Sequence, residues 1–403
     1  MNKYLLSTLL SVGFGALGAV SAYADVLPPR GLGEFKRKVS FTIGYNGANP
    51  DSAMPVLVKL SANSPSGFDY SSCASGGSDI RFMDSHGNAI PFEIDTWDTS
   101  GESLIWVRVP SVAQGTTFTM LFSGNPAVAN TPSAVWSDYS GVWHLNDLGT
   151  DMTQYSQGRY PNSTAATGID GHLSLMSIPD EAGRFGKSFR VNDSADWNNG
   201  YFNEGGVWVN DAGTDSPLDG NGVFTISGWF KHQNWHYNYD KMFFKRPDER
   251  EDDQGSFVSL IGSNNYDPKV AARGSKGSDN GFRVRLDSAT EMKAHFTNNW
   301  VYVTFVFDNR MCSIYENGAL CKSGAITVAP DNDYPLVFGN NTSIASGASG
   351  AQAWNGWIDE VRLLKSAKSA EWIAAEYAAM AGESFVTAGA VEKVNLGTLV
   401  IFK

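Results

Sequence analysis

The segments at residues 354–364, WNGWIDEVRLL, and 369–382, SAEWIAAEYAAMAG, indicate the fold. The first has the length and the apolar, aromatic composition of a buried β-strand over residues 357–364. In the second, Ser369 suits a helix N-cap and Gly382 suits a helix end, so the pattern predicts one short helix over residues 369–380. This region is therefore predicted to be a strand followed by a single helix.

Strand-like segments fill most of the chain before this point. In the first part they lie at residues 38–45, 54–60, 79–84, 104–109 and 116–122. In the second part they lie at residues 186–191, 223–231, 241–245, 257–261, 282–286, 300–308, 312–315, 319–322 and 335–339. Many short strands with a single short helix predict an all-β protein made of β-sandwich or jelly-roll domains.

A stretch rich in Pro and Asn at residues 124–132 separates the two parts. It predicts an N-terminal β-sandwich domain over residues 25–132, a linker over 133–140 and a jelly roll over 141–385. Residues 386–403 then form a C-terminal β tail. Because the strand pattern pauses at this stretch, we expect each domain to have a separate core.

The first 24 residues are typical of a secretory signal peptide. Lys3 supplies a positive charge, residues 4–20 are apolar or small, and Ala22-Tyr23-Ala24 fits the small-x-small cleavage pattern. We expect cleavage before Asp25 and a secreted protein, located in the periplasm, at the cell surface or outside the cell. No later stretch approaches the roughly 18 apolar residues of a membrane-spanning helix, so we expect no transmembrane span after cleavage.

Composition and charge exclude several classes of protein. The chain has 403 residues, of which 42% are hydrophobic and 12% aromatic, so it can bury large cores. Its formal net charge of −12 argues against nucleic acid as a partner, because that affinity comes mainly from Lys and Arg contacting phosphates. Three cysteines are too few for a disulfide scaffold.

Segments of both parts resemble known domains. The second part resembles laminin-G-like domains, which are concanavalin A-like jelly rolls, through FTISGWF at 224–230, WVYVTFVFD at 300–308, YENG at 315–318, LVFGN at 336–340, WNGWIDEVRL at 354–363 and SAKSAEWI at 366–373. Residues 35–130 resemble a bacterial domain of unknown function that often precedes such a jelly roll, through SDIRFMD at 78–84, IPFEIDTWD at 90–98 and IWVRVP at 105–110.

The two resemblances imply an envelope or extracellular protein whose second domain is a concanavalin A-like jelly roll with one short C-terminal helix. They supply no firm activity, and we interpret the chain as a secreted, non-catalytic binding protein for a glycan or an envelope protein. One alternative is a polysaccharide-active enzyme, a glycosidase or lyase, which a carboxylate pair on the concave sheet would favour. The other is a structural or adhesive subunit, which the absence of an exposed aromatic groove would favour.

Aromatic residues in polar loops are the candidate sugar-binding groups. Sugars stack their apolar faces on aromatic rings and form hydrogen bonds with neighbouring amides and acids. The candidate ligand-binding residues are Trp235, Tyr237, Tyr239, Asp240, Trp197 and Trp208. The alternative is that these rings pack in the core or cover the end of the sandwich.

The resemblance to concanavalin A-like domains implies a structural calcium ion. In such relatives an Asp on the last strand can bind calcium, and Asp359 has this position, with Asn146 and Asp147 after the opening strand. Calcium requires six to eight oxygen ligands. The alternative is that Asp359 or Glu360 pairs with Arg362 or caps a loop.

The motif EIDTWD at residues 93–98 resembles the paired carboxylates of some glycoside hydrolases. In retaining enzymes the two carboxyl groups are about 5–5.5 Å apart. Here the motif lies outside the jelly roll and ends in Asp98, so we expect an ordinary strand with solvent-facing acids. The six histidines, His144 among them, are expected to lie at the surface or to have satisfied hydrogen bonds.

The hairpin around Asn317-Gly318 carries two of the three cysteines. With these two turn residues, Ile314 faces Cys321, and Cys312 shares their face of the sheet. Export permits oxidation, so we expect a disulfide between Cys312 and Cys321, with Cys73 as a free thiol. The alternative is two buried free thiols in the hairpin.

Overall fold

The computed structural model describes residues 35–50, 52–124, 130–191, 205–211, 213, 216–219, 222–233, 240–245, 257–261, 270–273, 286–287, 296–325, 333–341, 344–345 and 353–394. Their strands pair antiparallel in four sheets, and two α-helices occur among these residues. The predicted all-β fold class is therefore confirmed.

The N-terminal domain is a sandwich of two sheets. Sheet I consists of β4 (Ala89–Ile90), β3 (Arg81–Asp84), β7 (Thr117–Phe122), β1 (Arg37–Ile43) and β24 (Val386–Ala388) in that order, with β25 (Glu392–Lys393) also paired to β1. Sheet II consists of β2 (Met54–Leu60), β6 (Ser103–Val109) and β5 (Phe92–Thr96). The predicted C-terminal β tail thus contributes two strands to the sheet of the N-terminal domain.

The jelly roll also has two sheets. Sheet III consists of β11 (Ser177–Ala182), β12 (Lys187–Val191), β23 (Gly356–Leu364), β14 (Val223–His232), β19 (Val301–Asp308), β20 (Met311–Glu316) and β21 (Ala319–Ala325), with β8 (Gly141–Trp143) also paired to β23. Sheet IV consists of β18 (Leu286–Asp287), β17 (Val270–Arg273), β16 (Phe257–Ile261), β15 (Asp240–Lys245), β22 (Leu336–Phe338), β13 (Val207–Val209), β10 (Gly171–Ser174) and β9 (Ser156–Tyr160). Large apolar side chains fill the space between the sheets, among them Phe230, Phe243, Phe305 and Phe338.

The predicted helix is confirmed as α2 (Ala370–Ala381), after the one-turn helix α1 (Pro132–Val135). The Ser369 hydroxyl accepts a hydrogen bond from the Trp372 N–H at 3.3 Å, as an N-cap does. The buried side of α2 packs on the outer face of sheet III, where Trp229 Nε1 donates to Met380 Sδ at 3.4 Å. Neither helix of the described residues is long and apolar enough to span a membrane.

One hydrophobic cluster runs through both domains. Trp229, Tyr302 and Leu364 on the outer face of sheet III belong to the same cluster as Val58 and Trp106 of sheet II. A second cluster fills the jelly roll between sheets III and IV. The division into two domains with separate cores stays a prediction. The outward-facing side chains of sheet III are large and apolar, so the jelly roll buries them against the N-terminal domain and α2.

The predicted disulfide between Cys312 and Cys321 is wrong, because none of the three cysteines is bridged. A β-bulge after Ile314 shifts the hairpin register, so that Ile314 faces Lys322 rather than Cys321. A one-residue shift moves a side chain to the other face of a sheet. Cys312 lies in the jelly-roll core, whereas Cys321 is half-buried outside that core.

Candidate functional site

Two consecutive acids on β23 lie on the outer face of sheet III. A β-bulge at Glu360, whose φ is 50°, interrupts the alternation of the strand, so Asp359 and Glu360 point the same way while Val361 returns to the core. The Glu360 N–H donates to Asp359 Oδ1 at 2.8 Å. A left-handed conformation is unfavourable for glutamate, so this bulge persists only because its surroundings hold it.

Strand β5 of the N-terminal domain brings two more acids to the same interface. Phe92 packs on Phe82 of sheet I with ring centroids 5.5 Å apart, so the pleat turns its neighbour Glu93 toward sheet III. Glu93 is only 6% exposed, and the expectation that it faces solvent is wrong. Asp95, two residues further on, is half-buried and accepts a hydrogen bond from Asn146 Nδ2 at 2.8 Å.

Side chains of alternating charge form a buried chain across the interface. His144, after β8, contacts Glu93 Oε2 through Nε2 at 3.2 Å and Glu360 Oε1 through Nδ1 at 2.8 Å. Arg362 donates to Glu360 Oε2 at 3.0 Å and to Glu376 Oε1 of α2 at 3.1 Å. The interdomain cluster is defined as Glu93, Asp95, His144, Glu360, Arg362 and Glu376.

Neutral donors satisfy the carboxylates at the two ends of this chain. Glu93 accepts hydrogen bonds from Trp136 Nε1 and, at 2.7 Å, from the Ser163 hydroxyl. Glu376 accepts from the phenol groups of Tyr139 and Tyr302 at 2.9 and 2.8 Å. Buried charges are tolerated when they are paired and hydrogen-bonded in this way.

Aromatic rings enclose the cations of the cluster. The Arg362 guanidinium lies 4.5 Å from the ring centroid of Trp106 and 4.9 Å from that of Trp136. The His144 ring is stacked on Trp106, with centroids 5.7 Å apart. These contacts place both cations in a low-dielectric environment, where each depends on its carboxylate partners.

The environment shifts the pKa values of the cluster in opposite directions. Burial lowers the pKa of His144, but the facing carboxylates of Glu360, Asp95 and Glu93 outweigh it and raise that pKa well above its usual value. Burial raises the pKa of Asp95 to about 7, with the charge of His144 opposing the shift. For Glu93, burial is outweighed by the charge of His144 and by hydrogen bonds, so its pKa is lowered.

One group of metal-ligating side chains emerges among the described residues. The ligating atoms of Asp95, His144 and Glu360 all lie within 4.8 Å of one another. They come from both domains, and no single sequence segment contains them.

The predicted calcium ligands hold a turn of the chain. Asp359 Oδ2 accepts hydrogen bonds from the backbone N–H groups of Arg184 and Phe185 at 2.6 and 2.9 Å, and Asn146 Oδ1 accepts from the Lys187 N–H at 2.5 Å. Asp147 is exposed. N–H groups directed at the Asp359 carboxylate take the place that calcium would need, which counts against an ion there. Calcium binding stays a prediction.

The predicted sugar-binding residues fall into two sets. Trp197, Trp235, Tyr237 and Tyr239 lie outside the described residues, and Asp240 is described only as the first residue of β15. Trp208 is 4% exposed, and its indole stacks on His172 with centroids 5.2 Å apart. This burial counts against Trp208 as a surface on which a sugar stacks.

A second aromatic surface lies on the outer face of sheet III beyond the interdomain cluster. Trp357 of β23 stands between Arg190 of β12 and Lys231 of β14 in the strand register. Lys231 Nζ lies 4.1 Å from the ring centroid of Trp357 and 5.1 Å from that of Trp300. Arg190 Cζ lies 5.5 Å from the Trp357 centroid. Four residues of this surface are each partly exposed and are called the exposed row: Arg190, Trp357, Lys231 and Trp300.

Sequence reasoning missed both groups for different reasons. The interdomain cluster draws on β5, β8, β23 and α2, and local patterns do not show which segments meet. One alternative from the sequence is confirmed, because Glu360 pairs with Arg362 and Asp359 holds a loop. The exposed row can be recognised only when the strand register of sheet III is known. The sequence offers one local signal, because each residue of the row is next to an apolar core residue.

The solved structures that resemble this chain do so weakly. Domain 4 of an extracellular arabinanase from Geobacillus stearothermophilus, solved with arabinotriose, is 17% identical with a TM-score of 0.38, covering 59% of this chain and 97% of that one. The receptor binding domain of botulinum neurotoxin C/D mosaic serotype is 13% identical with a TM-score of 0.40, covering 60% and 51%. Trypanosoma rangeli sialidase with sialic acid is 12% identical with a TM-score of 0.40, covering 76% and 44%.

Family comparisons are more definite. No curated protein matches the chain. Residues 203–374 match the concanavalin A-like lectin/glucanases superfamily, through its laminin-G-like model. Residues 76–142 match a domain of unknown function (DUF2341). Both resemblances drawn from the sequence are thereby confirmed: residues 203–374 are similar to laminin-G-like domains of the concanavalin A-like superfamily, and the similarity to the domain of unknown function precedes them at residues 76–142.

Proposed function

We propose that the chain is an exported, non-catalytic glycan-binding protein whose contact surface includes the exposed row. The observation that carries the proposal is the partly exposed pair Trp357 and Trp300, with Lys231 between them. Indole rings offer apolar faces to sugar rings, and a neighbouring ammonium group can donate hydrogen bonds to hydroxyl or carboxylate oxygens.

The polar groups around the row support binding rather than mere packing. Trp357 Nε1 donates to Glu181 Oε2 at 3.3 Å, and Arg190 Nη1 donates to Gln233 Oε1 at 2.9 Å. Both bonds fix the direction of a ring or a guanidinium at the surface, so less side-chain freedom is lost when a ligand binds. A preordered surface of this kind suits recognition of a polar, ring-shaped ligand.

The buried position of Glu93 supports the non-catalytic part of the proposal. Its carboxylate is enclosed by His144, Trp136 and Ser163, and it is 6% exposed. A general acid or nucleophile must reach the glycosidic bond that it cleaves. The export part of the proposal depends on the signal-like residues 1–24, which lie outside the described residues.

A glycan array followed by calorimetry tests this function. We expect the chain without its signal peptide to bind at least one glycan, and Trp357→Ala to weaken that binding by about tenfold or more, as loss of a central aromatic contact does. Trp97→Ala, at a half-buried tryptophan of the N-terminal domain, is the matched control and should leave binding unchanged.

Three results would contradict the proposal. Binding of no glycan would favour a structural or adhesive subunit. Cleavage of a bound glycan would favour an enzyme. Unchanged affinity in Trp357→Ala, with full affinity also in Trp300→Ala, would remove the exposed row from the contact surface.

A further inference from the structure

The interdomain cluster contains a histidine whose two ring nitrogens have different surroundings. His144 Nε2 lies 3.2 Å from Glu93 Oε2, and Glu93 is an acceptor already fixed by Trp136 Nε1 and the Ser163 hydroxyl. Because an ionised carboxylate only accepts hydrogen bonds, Nε2 carries a hydrogen. The contact therefore fixes the tautomer and orientation of the ring.

The other ring nitrogen faces a second carboxylate. His144 Nδ1 lies 2.8 Å from Glu360 Oε1, and both atoms carry lone pairs when the imidazole is neutral. Two lone pairs at this distance repel each other. At this hydrogen-bond distance a proton bridges Nδ1 and Glu360 Oε1, and a metal ion that binds Nδ1 must displace that proton.

A third ligating group lies beside this pair. Asp95 approaches from the N-terminal domain, and its ligating atom, His144 and Glu360 all lie within 4.8 Å of one another. Asn146 donates to Asp95 Oδ2, which leaves Oδ1 for an ion.

The charge balance favours an added cation. With a neutral imidazole, four carboxylates of the interdomain cluster face one guanidinium, that of Arg362, which is shared between Glu360 and Glu376. An excess of buried negative charge is expensive in a low-dielectric interior. A divalent ion would reduce this excess by two charges.

We propose that Asp95, His144 and Glu360 bind a divalent transition metal ion, zinc being the best match, which fastens the two domains together. One imidazole nitrogen with two carboxylates is a donor set suited to zinc, whereas calcium takes oxygen ligands. Glu93 has the position of the carboxylate that typically orients a metal-binding histidine through its other nitrogen. Three protein ligands and a water molecule complete a tetrahedral site.

Zinc titration of the whole mature chain tests the proposal. After dialysis against a chelator, calorimetry with ZnCl2 should give one site per chain, and excess zinc should raise the melting temperature by mass action. Asp95→Asn removes one ligand, and Glu93→Gln removes the orienting carboxylate, so each should weaken zinc binding by about 10–100-fold. Asp98→Asn, in the same EIDTWD motif but bonded to Ser100, is the matched control and should bind like the parent.

The variants are chosen so that unfolding does not imitate loss of the site. Asp95 is half-buried, and Glu93→Gln keeps an oxygen acceptor, so circular dichroism should show folded proteins. Cobalt titration gives an independent spectroscopic signature in the visible range. Absence of zinc binding in the parent, zinc binding unchanged in Asp95→Asn, or preference for CaCl2 over ZnCl2 would each overturn the proposal.

Discussion

Two groups of cations over tryptophan rings lie on the outer face of sheet III, and they differ in what covers them. In the interdomain cluster, the Arg362 guanidinium lies 4.5 Å from the Trp106 centroid and is completely buried. In the exposed row, Lys231 lies 4.1 Å from the Trp357 centroid and is half-buried. Similar local geometry thus occurs once under the N-terminal domain and once at the surface.

This difference shows that burial determines the role of a cation–tryptophan pair. A cation–π contact is worth about 0.5–1 kcal/mol at an exposed site and about 2 kcal/mol or more when desolvated. A buried cation also leaves its carboxylate partners unpaired if it is removed. The buried pair is therefore structural, whereas the exposed pair contributes little to stability and is available for a ligand.

Truncating the two arginines tests this comparison with the largest expected effect. Arg362→Met leaves Glu376 buried without its cation and leaves Glu360 with His144 alone, so we expect the free energy of unfolding to fall by about 3–5 kcal/mol. Arg190→Met, its surface counterpart in the exposed row, should change it by less than about 1 kcal/mol. Urea denaturation measures both. Equal losses in the two variants would contradict the distinction.

The two hairpin cysteines of sheet III allow a second comparison, that of thiol reactivity, for which we expect a smaller effect. All three thiols should titrate in the unreduced, denatured protein, because the structure contains no disulfide. In the native protein Cys321 should react first with a thiol reagent, since it is half-buried at an edge strand. Burial raises the pKa of Cys73 to about 12 and also raises that of Cys312, and thiolate is the reactive form.

Mass spectrometry after timed alkylation measures this order. A denatured count of one thiol would restore the predicted Cys312–Cys321 disulfide. Faster native labelling of Cys312 than of Cys321 would contradict the burial of Cys312 in the jelly-roll core.

The sequence predicts what depends on neighbouring residues and fails where segments meet. The N-cap of α2 at Ser369 and the strand at β23 follow from local patterns and are confirmed. The bulge after Ile314 and the bulge at Glu360 are not visible in the pattern, and each changes which residues pair across the strands. A bulge is selected by packing on both sides of a sheet, which a single strand does not encode.

The charge pairs that the candidate site forms between the two domains are likewise not visible in the local sequence. The sequence alone assigns the acids of EIDTWD to solvent. The large outward side chains of sheet III instead draw β5 and β6 against the jelly roll, and the acids meet His144 there. The partner of a buried charge is therefore set by domain packing.

Two stacked histidine–tryptophan pairs offer the smallest test, and they differ in what surrounds the imidazole. His144, stacked on Trp106, faces carboxylates. The pKa of His172, which is stacked on Trp208, is lowered mainly by burial and then by the positive charge of Arg159. The charges of Asp170 and Asp151 oppose this shift. The folded state thus prefers neutral His172. Its contribution to stability is present above the unfolded pKa of about 6.5 and is lost as the pH falls below it.

NMR titration of the His172 ring protons, assigned with His172→Gln, should give a pKa below about 6.5. The same variant should flatten slightly the decrease in unfolding free energy between about pH 6.5 and 5, because the neutral glutamine takes up no proton on unfolding. Trp208 fluorescence should change over the same range, since a protonated imidazole stacked 5.2 Å away quenches an indole. A measured pKa above about 6.5 would mean that carboxylates dominate this pair too, and the contrast between the two stacks would fail.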